Sequence, residues 1–136
     1  AAHVAAATPG SKVWLVSLGP KAKLQQLMMS IAQKVPFELV AVDGSASGFT
    51  DPVDVAAALA GAIEKIPSLD RSHLLLFGGC ASASRDAGVT VQLVGERLGI
   101  TDQFLSADEL TVNADGVLTI ELPKAAEAVA KRIAVQ

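Results

Sequence analysis

The chain has one cysteine, no tyrosine and no excess of positive charge. The single thiol, Cys80, excludes an internal disulfide, a CxxC redox pair and a thiolate metal cage. Aromatic residues are only 4% of the total, which argues against readers that stack nucleobases. A net charge of −3 leaves no basic footprint for nucleic acid. His3 and His73 lie far apart in sequence, so no metal site is expected. No apolar run approaches the ~20 residues of a membrane span, so membrane insertion is not expected. Near the N-terminus no basic segment precedes an apolar core; no secretory leader is expected, and a reducing interior compartment is the default. GxGxxG and Walker A strings are missing. So are paired carboxylates and a Ser–His–Asp set, which argues against an independent hydrolytic or transfer enzyme.

What is present is apolar and small. The 136 residues are 51% hydrophobic with a mean hydropathy of +0.44, and Ala supplies much of the excess. That length suits a single domain, 1–136, with a core of ordinary size.

Breakers divide the chain into alternating strand and helix patterns. An Ala-rich helical tail, 1–8, stops at Pro9-Gly10. Lys12 to Leu18 reads as a strand buried on both faces, ended by Gly19-Pro20. Leu24, Leu27, Met28, Ile31 and Ala32 fall at helical spacing within 21–34. A second buried strand, 37–42, turns at Asp43-Gly44. Asp51-Pro52 predicts a helix start with Asp as N-cap and Pro at the first helical position, running to about Ile66. Residues 72–77 read as a third strand. A helix follows from about Val91 to Leu98, with Gly99 as its cap. Residues 103–106 read as a short fourth strand, 110–112 with 117–122 as a hairpin, and 123–134 as a last helix.

Strands alternating with helices predict an α/β fold. It would be a doubly wound, mostly parallel sheet with helices on both faces, Rossmann-like, plus a small antiparallel hairpin. In such sheets ligands sit beyond the carboxyl ends of the strands. Three segments are expected there: Ser17-Leu18-Gly19-Pro20, Asp43-Gly44-Ser45, and the loop from Gly78 to Thr90.

That loop, Gly78-Gly79-Cys80-Ala81-Ser82-Ala83-Ser84-Arg85-Asp86-Ala87-Gly88-Val89-Thr90, is the most informative stretch. Small residues let a ligand reach the backbone. The helix that follows adds free N–H groups and a partial positive charge, as an anion cradle requires. The plainer reading is a tight strand-to-helix connection.

In order along the chain, the residues resemble the electron transfer flavoproteins, the β subunit more than the α. Val16-Ser17-Leu18-Gly19-Pro20 is similar to the family's V-S-x-G-P strand end. Asp51-Pro52 with Val55-Ala56-Ala57-Ala58-Leu59-Ala60 resembles its D-P…A-x-A-L-A helix. Gly79-Cys80-Ala81 stands where the family has G-x-Q-[AS]. Gly95-Glu96-Arg97-Leu98-Gly99-Ile100 resembles its A-E-x-L-G-I segment, and 110–121 its two-stranded ribbon. The resemblance covers roughly residues 12–122.

It implies a single adenine nucleotide alpha hydrolase-like domain in a heterodimer. The partners it implies are an α-like subunit carrying the redox flavin and a dehydrogenase, in the cytoplasm or mitochondrial matrix. The cofactor it implies is AMP or FAD. The binding positions it implies are Ser17, Leu18 and Gly19, with Cys80, Ala81, Ser84, Arg85, Gly88, Val89 and Thr90. Ala83, Ser84 and Val89 stand near the places of the family's loop Asp and Gln, which implies a truncated or diverged relative. Ser84-Arg85-Asp86 also resembles a loop of the α subunit's N-terminal domain. Two other readings stand beside this one: a nucleotide-free interaction or dimerisation module of the same fold, and a stress-protein-like ATP binder.

Other residues read plainly. Cys80 has no sequence partner as a nucleophile and suits a small buried hydrophobe. Arg85 and Asp86 suit a solvated pair or a cap, with a phosphate contact as the functional alternative. Trp14 and Met28 suit the core, and His73 the surface. Asp43 suits a turn, with a ribose hydroxyl as its alternative partner.

Overall fold

The computed structural model describes residues 1–33, 36–45, 50–79, 88–105, 107, 109–113 and 117–121. Helix α1 spans Ala2–Ala7 and ends before Gly10, whose φ of 84° reverses the chain. Strand β1 (Trp14–Gly19) leads through Pro20 into helix α2 (Lys21–Ala32), which buries Leu24 and Met28 one turn apart. Strand β2 (Glu38–Asp43) pairs parallel with β1 in unbroken register from Trp14 opposite Glu38 to Gly19 opposite Asp43. The Trp14 indole N–H donates to Glu38 Oε2 at 3.1 Å, which leaves Trp14 half-buried rather than enclosed in the core.

Helix α3 (Pro52–Ile63) begins as its sequence predicts: Asp51 Oδ1 accepts from the Val53 N–H at 2.8 Å. Helix α4 (Thr90–Arg97) packs across it. Their shared face is the core: Ala56, Ala60 and Ile63 from α3 against Val94 and Leu98, with Ala56 0% exposed. Small side chains on α3 let the two helices approach closely, and Val16 of β1 packs on the same cluster. Helix α4 ends in a Schellman arrangement. Gly99, at φ 75°, donates to Glu96 O, and the Ile100 N–H reaches back to Gly95 O at 2.8 Å. Strands β3 (Glu109–Val112) and β4 (Leu118–Glu121) pair antiparallel, as a separate sheet from β1 and β2.

The architecture is therefore mixed helix and strand, with a two-stranded parallel sheet and a separate antiparallel pair. Three expectations need correction. Residues 72–77 are not a strand. Arg71–His73 forms a 3-10 turn capped by Asp70, and 74–79 follow without a ladder among the described residues. The Asx-type hydrogen bond of Asp70 to the Ser72 N–H diverts the backbone from extended pairing.

The expected strand at 103–106 is also not realised over its described residues. Gln103 instead turns its amide back on α4, donating to Gln92 O at 3.3 Å and Ile100 O at 3.1 Å. Nor are β1 and β2 buried on both faces: Trp14 to Leu18 are half-buried and only Gly19 of β1 is buried. In β2 only Val40 and Val42 are half-buried, because β2 lies at the edge of a two-stranded sheet. The predicted C-terminal helix and the tip of the hairpin lie outside the described residues.

Candidate functional site

The parallel register of β1 and β2 brings two of the three predicted segments together at one edge. Gly19 stands opposite Asp43, and the Gly44 N–H donates to Gly19 O at 3.3 Å. A Cβ on Gly44 would come within 2.9 Å of Leu18 Cδ1, the tip of a side chain that can move aside. Ser17 and Leu18 are half-buried, Gly19 is buried and Asp43 is exposed. The edge thus offers a small apolar ledge at Leu18 with a carboxylate beside it.

Of the third segment, residues 78–79 and 88–90 are described. Gly78 lies hard against the Val91 side chain. Gly88 takes φ 63°, a left-handed turn suited to glycine, just before α4 begins. The N-cap of α4 is Val89, with no side-chain cap bond and no acidic residue in the first turn. The first-turn N–H groups and the half-buried Thr90 are the donors this segment can present to an anion. Cys80, Ala81, Ser84 and Arg85 lie outside the described residues.

An apolar cavity of about 850 Å3 is bordered by α1, β1, α3, the first turns of α4 and residues 66–70 and 73–77. Val16, Leu74, Leu76, Val91 and Val94 are in its wall, and Thr90 reaches it, whereas Ser17, Leu18 and Gly19 do not. The structure therefore pairs Ser17–Gly19 with Asp43 and Gly44, and groups Thr90 with the cavity instead.

One polar cluster was not legible as such. Asp70, Ser72 and His73 bond to one another, and Asp70 and His73 border the cavity. Ser72 Oγ donates to Asp70 Oδ1 at 2.6 Å, and His73 Nδ1 lies 2.8 Å from Asp70 Oδ2 and 3.0 Å from Ser72 Oγ. The Ser72 hydroxyl, then the His73 ring and the Ser72 N–H, hold the Asp70 carboxyl at about 2, below its ordinary 3.8. The set is a turn cap and not a nucleophile. The Ser72 hydroxyl donates to the Asp70 carboxylate, and the one ring nitrogen near Ser72 Oγ is shared with that same carboxylate, so the three groups serve to hold the turn. Asp-x-Ser ahead of a 3-10 turn is the signal that finds it.

Among the described residues no group of three His, Cys, Asp or Glu side chains could hold a metal ion, and no helix is long and apolar enough to cross a membrane. Comparison of the chain with protein-family models, with curated proteins and with solved structures finds no match.

Proposed function

We propose that the chain is an electron transfer flavoprotein-like subunit, nearer the β type. In this reading it pairs with a flavin-bearing α-like subunit, meets a dehydrogenase as a further partner, and offers AMP or FAD a seat at its strand edge. The reading includes the finer fold, a doubly wound, mostly parallel sheet with helices on both faces. It also includes a cytoplasmic or mitochondrial-matrix location.

One observation carries it: β1 and β2 are parallel and in register, with their carboxyl ends meeting at Gly19 and Asp43. That is the place where open α/β sheets receive a ligand. The residues present suit a nucleotide in a limited way. Leu18 supplies an apolar ledge for a base, and Asp43 an acceptor for a ribose hydroxyl. The reading also calls on Gly88, the first-turn N–H groups of α4 and Thr90 as donors for a phosphate, a group that borders the cavity and stands apart from the strand edge. A bound flavin would supply the redox chemistry, and the chain would supply placement and electrostatics.

Native mass spectrometry and calorimetry with AMP, ADP and FAD test this reading. The expected result is one adenine-containing ligand per chain. Failure to bind any of the three, alone or with a flavin-bearing partner, rejects it in favour of a nucleotide-free interaction module. Binding of ATP without AMP or FAD favours a stress-protein-like ATP binder.

A further inference from the structure

The 850 Å3 cavity is walled largely by apolar side chains from separate elements: Val4 of α1, Trp14 and Val16 of β1, Ile63 of α3 and Val94 of α4, with Leu76 beside them. It is partly open to solvent. A hollow of this kind offers water few polar partners, and the atoms around it forgo packing contacts. An apolar occupant would supply those contacts.

The chain leads toward this hollow. Helix α1, on the cavity wall, touches β3. Strand β4 pairs with β3 and sets Glu121 opposite Glu109, one strand spacing, about 4.8 Å, away. Residues 122–136 continue from there. Their sequence puts Leu122, Ala126, Val129, Ala130 and Ile133 at helical spacing on one stripe, with Lys124, Glu127, Lys131 and Arg132 outside it. Pro123 suits the first turn of such a helix. A helix over 123–134 would be about 18 Å long. That is the length of α3, whose 12 residues include Leu59 and Ile63 of the cavity wall.

We propose that residues 122–136 are the occupant of the cavity: they form an amphipathic helix whose apolar stripe lies against Val16, Leu76 and Val94 and shields Trp14 from water. The cavity is then a part of the core that this segment completes. The proposal does not depend on the nucleotide reading, whose strand edge at Ser17, Leu18 and Gly19 lies outside the cavity wall.

The test uses the full chain. Methyl-labelled NMR looks for through-space contacts, and the fluorescence of Trp14, the only tryptophan, reports on the cavity wall. The expected result is contact between the methyls of Val129 or Ile133 and those of Val16, Leu76 or Val94. Ile133→Asp should shift Trp14 emission to longer wavelength, while Lys131→Asp, outside the stripe, should leave it unchanged. Absence of the methyl contacts overturns the proposal, and so does Trp14 emission that Ile133→Asp does not move. Contacts seen only between labelled and unlabelled chains in a mixed sample overturn it in favour of a second copy as occupant. If Ile133→Asp fails to fold, the NMR of the parent chain decides alone.

Discussion

Gly78 sits so close to Val91 that a methyl group on it would overlap the Val91 side chain. This contact joins the end of residues 74–77 to the first turn of α4, on the side of the core where both meet the apolar cavity. Val91 is β-branched, which restricts its χ1 and leaves it few ways to yield. Gly78→Ala is therefore expected to destabilise the fold by about 1–3 kcal/mol, the usual cost of overpacking. Denaturant unfolding checks this, and Val91→Ala in the same chain should recover most of the loss. A Gly78→Ala protein as stable as its parent would show that the two segments are not in contact.

Asp51 holds the start of α3 through its bond to the Val53 N–H. Helix α3 supplies three of the five residues at the centre of the core, so fraying there reaches the packing against α4. Asp51→Ala is expected to cost about 1 kcal/mol, while Asp51→Ser should retain most of the stability. Thermal melts of the two variants separate the cap from any effect of charge, because Ser caps without an ionised group.

The Asp70 cluster makes a pH prediction with a definite sign. The carboxyl sits at about 2 when folded, against an ordinary 3.8, through the Ser72 hydroxyl first and then His73. A folded value below the unfolded one stabilises the fold above about pH 5, and that stabilisation fades as pH falls toward 2. Asp70 is exposed, so the effect is small. Carboxyl NMR should place the Asp70 midpoint near 2, and Asp70→Asn should flatten the acid limb of the stability curve between pH 5 and 2. A midpoint at the ordinary value would mean the Ser72 and His73 bonds do not persist in water.

Local signals carried most of the elements. Pro and Gly punctuation placed α1, β1, α2 and β2 within a few residues, because backbone restrictions at those residues act without tertiary help. The Asp51-Pro52 start of α3 and the Gly99 end of α4 were readable for the same reason: each cap satisfies backbone groups within one turn. The hairpin strands followed from their alternation around a turn sequence.

Residues 72–77 and 103–106 were not readable in this way. An apolar run such as Leu74-Leu75-Leu76-Phe77 states that a segment will pack, and leaves open which partner it pairs with. Of the candidate site, the sequence determined which residues are small enough for a close approach, namely Gly19, Gly44, Gly78 and Gly88. Only the tertiary structure decided that Gly19 meets Asp43 across a parallel register, whereas Thr90 faces an apolar cavity. Strand pairing and cavity shape arise from contacts between residues distant in sequence, and no local pattern encodes those.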